Sequence, residues 1–97
     1  MKILIAYATT DGQTRKIARF VADHLTDAGH ATELLNLADA AGLDLARFDA
    51  AVLAGSIHAG GFQKAMTGFV ARETLKLARM PTLFLPVSLS AAGTDPE

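Results

Sequence analysis

The sequence has 97 residues, of which 51% are hydrophobic and 20% charged, which indicates a folded chain with one core rather than a disordered one. The sequence has nine basic and ten acidic residues, and this balance of charge excludes the strongly basic surface of a nucleic-acid-binding protein. The absence of cysteine excludes disulfides, thiolate catalysis and cysteine-rich metal sites, and is compatible with a cytoplasmic location.

Residues 3–8 form a continuous apolar run, which predicts a strand buried on both faces, as in a parallel sheet. The run is too short for a signal peptide or a membrane span. A turn cluster follows, and then an apolar stripe at helical spacing, which predicts a helix that ends before Gly29. The stripe consists of Ile17, Phe20, Val21, His24, Leu25 and Ala28.

The next two segments are less regular. Residues 31–37 mix apolar and polar side chains, which favours a strand at the edge of a sheet. Residues 39–49 contain three large apolar side chains that suit a short helix, but Gly42 interrupts that pattern.

The second half of the chain repeats the strand–helix–strand order. Residues 50–54 are apolar throughout and predict a third buried strand. Residues 62–80 predict one helix that ends at Pro81. Residues 82–89 predict a fourth strand, in which Pro86 is unusual.

Alternating strands and helices predict an α/β protein with a doubly wound parallel sheet and right-handed crossovers. Four strands are visible, whereas such a domain normally continues with at least one more strand and helix. We therefore expect residues 1–97 to form a single domain that is incomplete at its carboxyl end. The sheet edge that a fifth strand would cover leaves homo-oligomer formation open.

Ligands of open α/β sheets bind beyond the carboxyl ends of the strands, where residues 9–14, 55–61 and 88–93 are predicted to form loops. Threonine hydroxyls, a glycine and the start of the following helix make the first loop a predicted phosphate site. It has neither the lysine of a triphosphate loop nor a G-x-G-x-x-G motif, so a monophosphate suits it better. The alternative is that Thr14 or Asp11 only caps the helix.

Residues 7–18, YATTDGQTRKIA, are similar to the FMN phosphate loop of flavodoxins. The Asp-Gly-Gln-Thr within them resembles the loop of the flavodoxin-type protoporphyrinogen dehydrogenases of bacteria, and residues 55–58 resemble that family's second flavin loop. The resemblance implies a flavodoxin-like fold with FMN as its cofactor. The residues that it places at the FMN are Thr9, Thr10, Asp11, Gly12, Gln13, Thr14, Ser56, Ile57, His58, Ala59, Gly60, Ser88, Leu89 and Ser90.

For function, the resemblance implies an oxidoreductase of haem biosynthesis that removes hydrogens from protoporphyrinogen IX, passes hydride to FMN and uses a quinone as electron acceptor. It also implies peripheral association with the inner face of the cell membrane, through segments beyond these residues. Two alternatives stay open: an electron-carrier flavodoxin, against which the balanced charge argues, and a truncated fold that holds no flavin.

No side chain is an obvious catalytic acid or base, so the catalytic residues are unknown. His58 has two interpretations, one beside the flavin ring and one as a solvated loop residue. Three histidines without paired spacing predict no metal site.

Overall fold

The computed structural model of the protein describes residues 1–8, 13–39, 43–58, 61–62 and 64–88. The strands are β1 (Lys2–Ala8), β2 (Ala31–Asn36), β3 (Ala50–His58), β4 (Gly61–Phe62) and β5 (Thr82–Ser88). The helices are α1 (Gln13–Asp27), α2 (Lys64–Arg72) and α3 (Thr74–Ala78), with short 3-10 helices at Leu37–Asp39 and Leu45–Arg47. No helix in these ranges has the length and apolarity that crossing a membrane requires.

The sheet has four parallel strands in the order β2-β1-β3-β5. The chain places β2 on one side of β1 and then crosses to place β3 on the other side. This confirms the predicted doubly wound parallel sheet and the edge position of β2 within the described sheet. The two-residue β4 was not predicted; it pairs antiparallel with the last two residues of β3.

Both faces of β1 are buried, as its continuous apolar run predicts. Ile3, Ile5 and Tyr7 pack in the cluster that α1 covers. Leu4 and Ala6 pack on the opposite face, in a cluster with side chains of α2, α3 and the 3-10 helices. The sheet is therefore the middle of three layers, and its apolar strands supply the contacts on both sides.

Helix α1 contacts the sheet through smaller side chains than the sequence predicts. Ala18 and Ala22 are buried against the sheet, whereas Phe20 is 63% exposed. Val21 and Leu25 of the predicted stripe pack against this cluster, whereas Phe20 and His24 are exposed and their rings contact each other at 4.4 Å between centroids. The stripe that faces the sheet is rotated toward two alanines, because small residues let a helix backbone approach a sheet closely.

Gly29 ends α1 as predicted, with a positive φ of 98°. The N–H of Gly29 donates to the carbonyl of Thr26, and the N–H of His30 donates to the carbonyl of Leu25. These two bonds define a Schellman motif, which satisfies carbonyls that the last turn would otherwise leave without partners. The conformation favours glycine because an L side chain is strained at this φ.

The predicted helix over residues 62–80 is wrong as a single helix, because it is divided into α2 and α3 at Glu73. The hydroxyl of Thr74 donates to the carbonyl of Val70 at 2.7 Å, and side-chain bonds of this kind bend helices. Backbone bonding continues across the junction, since the N–H of Glu73 donates to the carbonyl of Phe69. The predicted apolar stripe holds: Met66, Phe69 and Leu77 are buried together.

In the irregular segment before β3, the described residues 43–49 contain a 3-10 turn at Leu45–Arg47. The Asp44 carboxylate caps this turn by accepting from the N–H of Ala46 at 3.0 Å. Leu45 and Phe48 are both buried in the cluster beneath α2 and α3. The turn thus contributes two large side chains to the core.

Strand β5 tolerates a proline because of the direction in which its peptide groups point. The N–H of Ala51 donates to the carbonyl of Pro81, and alternation along a parallel strand then directs the peptide groups of Leu83 and Leu85 toward β3. Pro86 falls at an outward position, so its missing N–H does not break the ladder.

The outer edge of β5 is apolar and uncharged. Leu83 is 55% exposed and Phe84 is 44% exposed, on opposite faces of the strand. A hollow of about 230 Å³ lies beside the strand on the α1 face, lined by Ile3, Leu25 and Leu83 among others. Among the described residues, no strand covers this edge.

Candidate functional site

The strand register brings three carboxyl ends together at one edge of the sheet. Gly55 of β3 lies opposite Ala8, the last residue of β1, on one side and opposite Pro86 of β5 on the other. The segments that follow these strands therefore start beside one another. This is the arrangement that the sequence predicts for residues 9–14, 55–61 and 88–93.

The position between β1 and β3 is the topological switch point of the sheet, because the chain turns to opposite sides from β1 to reach β2 and β3. Switch points in open α/β sheets are where ligands bind, since the diverging connections leave a crevice there. Helix α1 starts five residues after β1, so its amino end faces the same edge.

The start of α1 is electrostatically suited to an anion. Its first turn contains no acidic residue, and the dipole of the helix places partial positive charge there. Arg15 and Lys16 add two exposed cations in the same turn. Their contribution is weakened by solvent and salt.

Thr14 is the second residue of α1 and is the buried polar residue among those described, with 0% exposure. Its side chain is therefore packed inside the protein at the start of the helix. The predicted phosphate contact at Thr14 therefore comes from a residue held in a fixed position, which reduces the entropy that binding must remove.

The second predicted loop is shorter than expected. Residues 55–61 were expected to form a loop, but β3 continues through His58 and pairs with β4 at Ile57 and His58. The interpretation of His58 as a loop residue is therefore wrong, because its backbone lies in a strand. The signal for this extension was the β-branched Ile57 between two polar residues, an alternation typical of strands.

The predicted site residues divide into two groups. Gln13 and Thr14 begin α1, Ser56, Ile57 and His58 end β3, and Ser88 ends β5, where it pairs with Ile57. These residues lie at the same edge of the sheet. The others lie outside the described residues: Thr9, Thr10, Asp11, Gly12, Ala59, Gly60, Leu89 and Ser90.

Residues 4–96 match the family described as Flavodoxin domain. The chain belongs to the flavodoxin domain family. This confirms the predicted resemblance to flavodoxins. The switch-point edge described above is therefore part of a flavodoxin fold.

Two curated relatives carry the same name. The chain is 34% identical over 91 residues to protoporphyrinogen IX dehydrogenase [quinone] of Escherichia coli K12, covering 94% of this chain and 50% of that protein. It is 32% identical over 95 residues to the protein of that name from Leishmania major, covering 97% of this chain and 41% of that protein. The flavodoxin domain therefore spans half or less of the length of these relatives.

Solved structures show the same fold at lower identity. Fusobacterium nucleatum flavodoxin bound to flavin mononucleotide superposes with a TM-score of 0.72 at 17% identity, covering 90% of this chain and 52% of that one. Oxidised flavodoxin 1 of Bacillus cereus superposes with a TM-score of 0.66 at 16% identity, covering 91% of this chain and 84% of that one. At these identities the likeness establishes the flavodoxin fold of this chain.

Proposed function

We propose that this flavodoxin domain binds FMN at the switch-point edge, and that the protein oxidises protoporphyrinogen IX with a quinone as electron acceptor. The observation that carries the proposal is the match over nearly the whole chain to proteins of two different organisms named protoporphyrinogen IX dehydrogenase [quinone]. The geometry supports it, because the start of α1 and the ends of three strands meet at one edge.

The described residues fit an FMN phosphate. The first turn of α1 offers backbone N–H groups and no carboxylate that would repel an anion. Thr14 is buried at that turn, and its hydroxyl is the side-chain group that we propose to bond the phosphate.

Other described residues fit the remainder of the molecule. Gly55 lies between Ala8 and Pro86 in the register, at the level where β1 ends. Residues 56–58 end β3 at this edge, beside the end of β5, where the flavin ring would lie.

In the proposed reaction, bound FMN supplies the two-electron redox chemistry, and the protein holds and orients it. The start of α1 fixes the phosphate, and the ends of β3 and β5 limit the positions that the flavin ring adopts. The exposed cations Arg15 and Lys16 attract the anionic carboxylates of a porphyrinogen toward this edge.

The test compares FMN with riboflavin, which lacks the phosphate. Flavin fluorescence is titrated with the purified chain, and we expect FMN to bind roughly 100-fold more tightly than riboflavin, since a phosphate at a helix start makes several charge-assisted bonds. The FMN complex is then mixed with protoporphyrinogen IX and a soluble quinone, and formation of fluorescent protoporphyrin is followed. We expect a rate that depends on both FMN and quinone.

A different experimental result would contradict each part of the proposal. FMN binding without quinone-dependent porphyrinogen oxidation, in this chain and in a longer chain of its relatives' length, would contradict the substrate and leave an electron carrier as the interpretation. Equal affinity for riboflavin and FMN would contradict the phosphate site. No flavin binding at all would leave the fold without a cofactor.

We further propose that the chain forms homo-oligomers through the edge of β5 that no described strand covers. We also propose that it is cytoplasmic and meets its quinone at the inner face of the membrane. The exposed Phe84 and Leu83, with no charge in β5, support self-association. Phe84→Lys is expected to lower the weight-average mass in sedimentation at equal concentration. Leu75→Lys in exposed α3 is the control, and an equal drop for both variants would count against β5 as the interface.

A further inference from the structure

A second pocket lies at the opposite edge of the sheet from the proposed flavin site. Its volume is about 410 Å³, within the range typical of small-molecule sites. It is formed where the chain enters β3, at Phe48 and Asp49, and where it leaves α3, at Arg79 and Met80. Because β3 runs from Ala50 to His58, the two sites are separated by roughly 25 Å of strand.

The floor of this pocket is apolar and fixed. Leu45 and Phe48 are buried core side chains, and Met80 packs partly buried against the same cluster. The capped 3-10 turn that begins after Asp44 holds Leu45 in place. A rigid apolar floor binds a hydrophobic group without first having to order itself.

The wall is cationic. Lys76 and Arg79 line the pocket, and Lys76 has only a long contact, 3.9 Å, to the Glu73 carboxylate. No carboxylate within the described part of the chain lies within 4.0 Å of the Arg79 guanidinium. An anion that enters the pocket would therefore meet Arg79 without displacing an internal partner.

More positive charge lies around Phe48, and the acidic residue of the wall, Asp49, is already engaged. The Lys2 Nζ lies 5.3 Å, and the Arg47 Cζ 5.5 Å, from the centroid of the Phe48 ring. The carboxylate of Asp49 accepts from the backbone N–H of Lys2 at 2.8 Å. Arg47 is itself paired with Glu33 at 3.5 Å, so the charge argument depends on the lining, where the two cations Lys76 and Arg79 outnumber Asp49 and favour an anionic ligand.

We propose that this pocket binds a small amphipathic carboxylate, with its apolar body on Met80 and Phe48, above the buried Leu45, and its carboxylate at Arg79 and Lys76. The apolar floor excludes a bare inorganic anion as the best ligand, and the cationic wall excludes a neutral hydrocarbon. This site is independent of the proposed FMN function, because the two share no residue and lie at opposite ends of β3.

The test uses octanoate as the probe, with the flavin-free chain labelled with 15N. Titration is expected to shift the backbone amide signals of Ala46, Phe48 and Arg79, with a dissociation constant of roughly 0.1–1 mM for so small a ligand. Arg79→Gln is expected to weaken binding about 10-fold, as loss of a charge-assisted bond does. Arg72→Gln, an exposed arginine of α2 outside the pocket, is the matched control and should leave the affinity unchanged.

Three further probes separate the sources of the signal. Neutral 1-octanol should bind at least about 10-fold more weakly than octanoate, and inorganic phosphate should leave the pocket signals unmoved. Equal binding of octanol, or equal binding by Arg79→Gln, would overturn the proposal. Shifts with anionic phosphatidylglycerol vesicles but not with free octanoate would also overturn it, in favour of a membrane contact.

Discussion

Thr14→Ala is expected to weaken FMN binding by roughly 10- to 100-fold, the loss that follows removal of one hydrogen bond to a charged group. Thr14 is fully buried at the second position of α1, so no water is placed to replace its hydroxyl without rearrangement. The measurement is a fluorescence titration of FMN with wild-type and variant protein at the same ionic strength.

Riboflavin separates a phosphate contact from a general defect of folding. If Thr14 bonds the phosphate, Thr14→Ala should lower the affinity for FMN far more than the affinity for riboflavin, and Thr14→Ser should restore most of the loss. An equal loss for both flavins would show that Thr14 acts on the fold instead. Thr67→Ala, at an exposed position of α2, is the control for the loss of a threonine.

Phe69→Ala is expected to lower the free energy of unfolding by about 3–5 kcal/mol, as is typical of a buried phenylalanine. Phe69 is 2% exposed and packs with Met66 and Leu77 beneath the sheet. Domains are stable by only about 5–15 kcal/mol, so this cost is a large part of the total stability. Urea unfolding followed by circular dichroism measures the difference.

Leu75→Ala in α3 is the matched control for this prediction. Leu75 is 77% exposed, and its truncation should change the free energy of unfolding by less than about 0.5 kcal/mol. Phe69→Leu should fall between the two variants, because it retains most of the apolar volume. A Phe69→Ala cost no larger than that of Leu75→Ala would contradict the described packing of α2.

The fold was predictable where the local pattern of apolar residues in the sequence matches the burial of their side chains. The uninterrupted apolar run of β1 corresponds to a strand buried on both faces, and Gly29 ends α1 with the conformation that only glycine adopts easily. The orientation of α1 was not predictable from apolarity alone. The small Ala18 and Ala22 make the buried contact with the sheet, whereas hydrophobicity alone favours the larger Phe20 as the buried residue.

The division between α2 and α3 depends on a side-chain bond. The hydroxyl of Thr74 bonds to the carbonyl of Val70, and neither composition nor periodicity reports such a bond. For the same reason, the length of β3 was underestimated. Its pairing with β4 and β5 extends it through polar residues that in isolation favour a loop.

The candidate site was predictable in location but not in detail. Strand order and the switch-point rule place the ends of β1, β3 and β5 together, and the register at Gly55 confirms this. The pocket at the opposite edge gave no sequence signal. Its floor and wall come from Phe48, Lys76 and Arg79, which are distant along the chain and meet only through the packing of α3.

Pro86 has a consequence for how assemblies of this chain would grow. The outward peptide groups of β5 include that of Phe84, which keeps its N–H, and that of Pro86, which has none. A strand that pairs with the outer edge of β5 therefore finds one backbone N–H donor missing. If copies of the chain stacked in a continuous ladder, each copy would lack one hydrogen bond to the next. Proline at this position therefore disfavours the addition of successive strands along this edge.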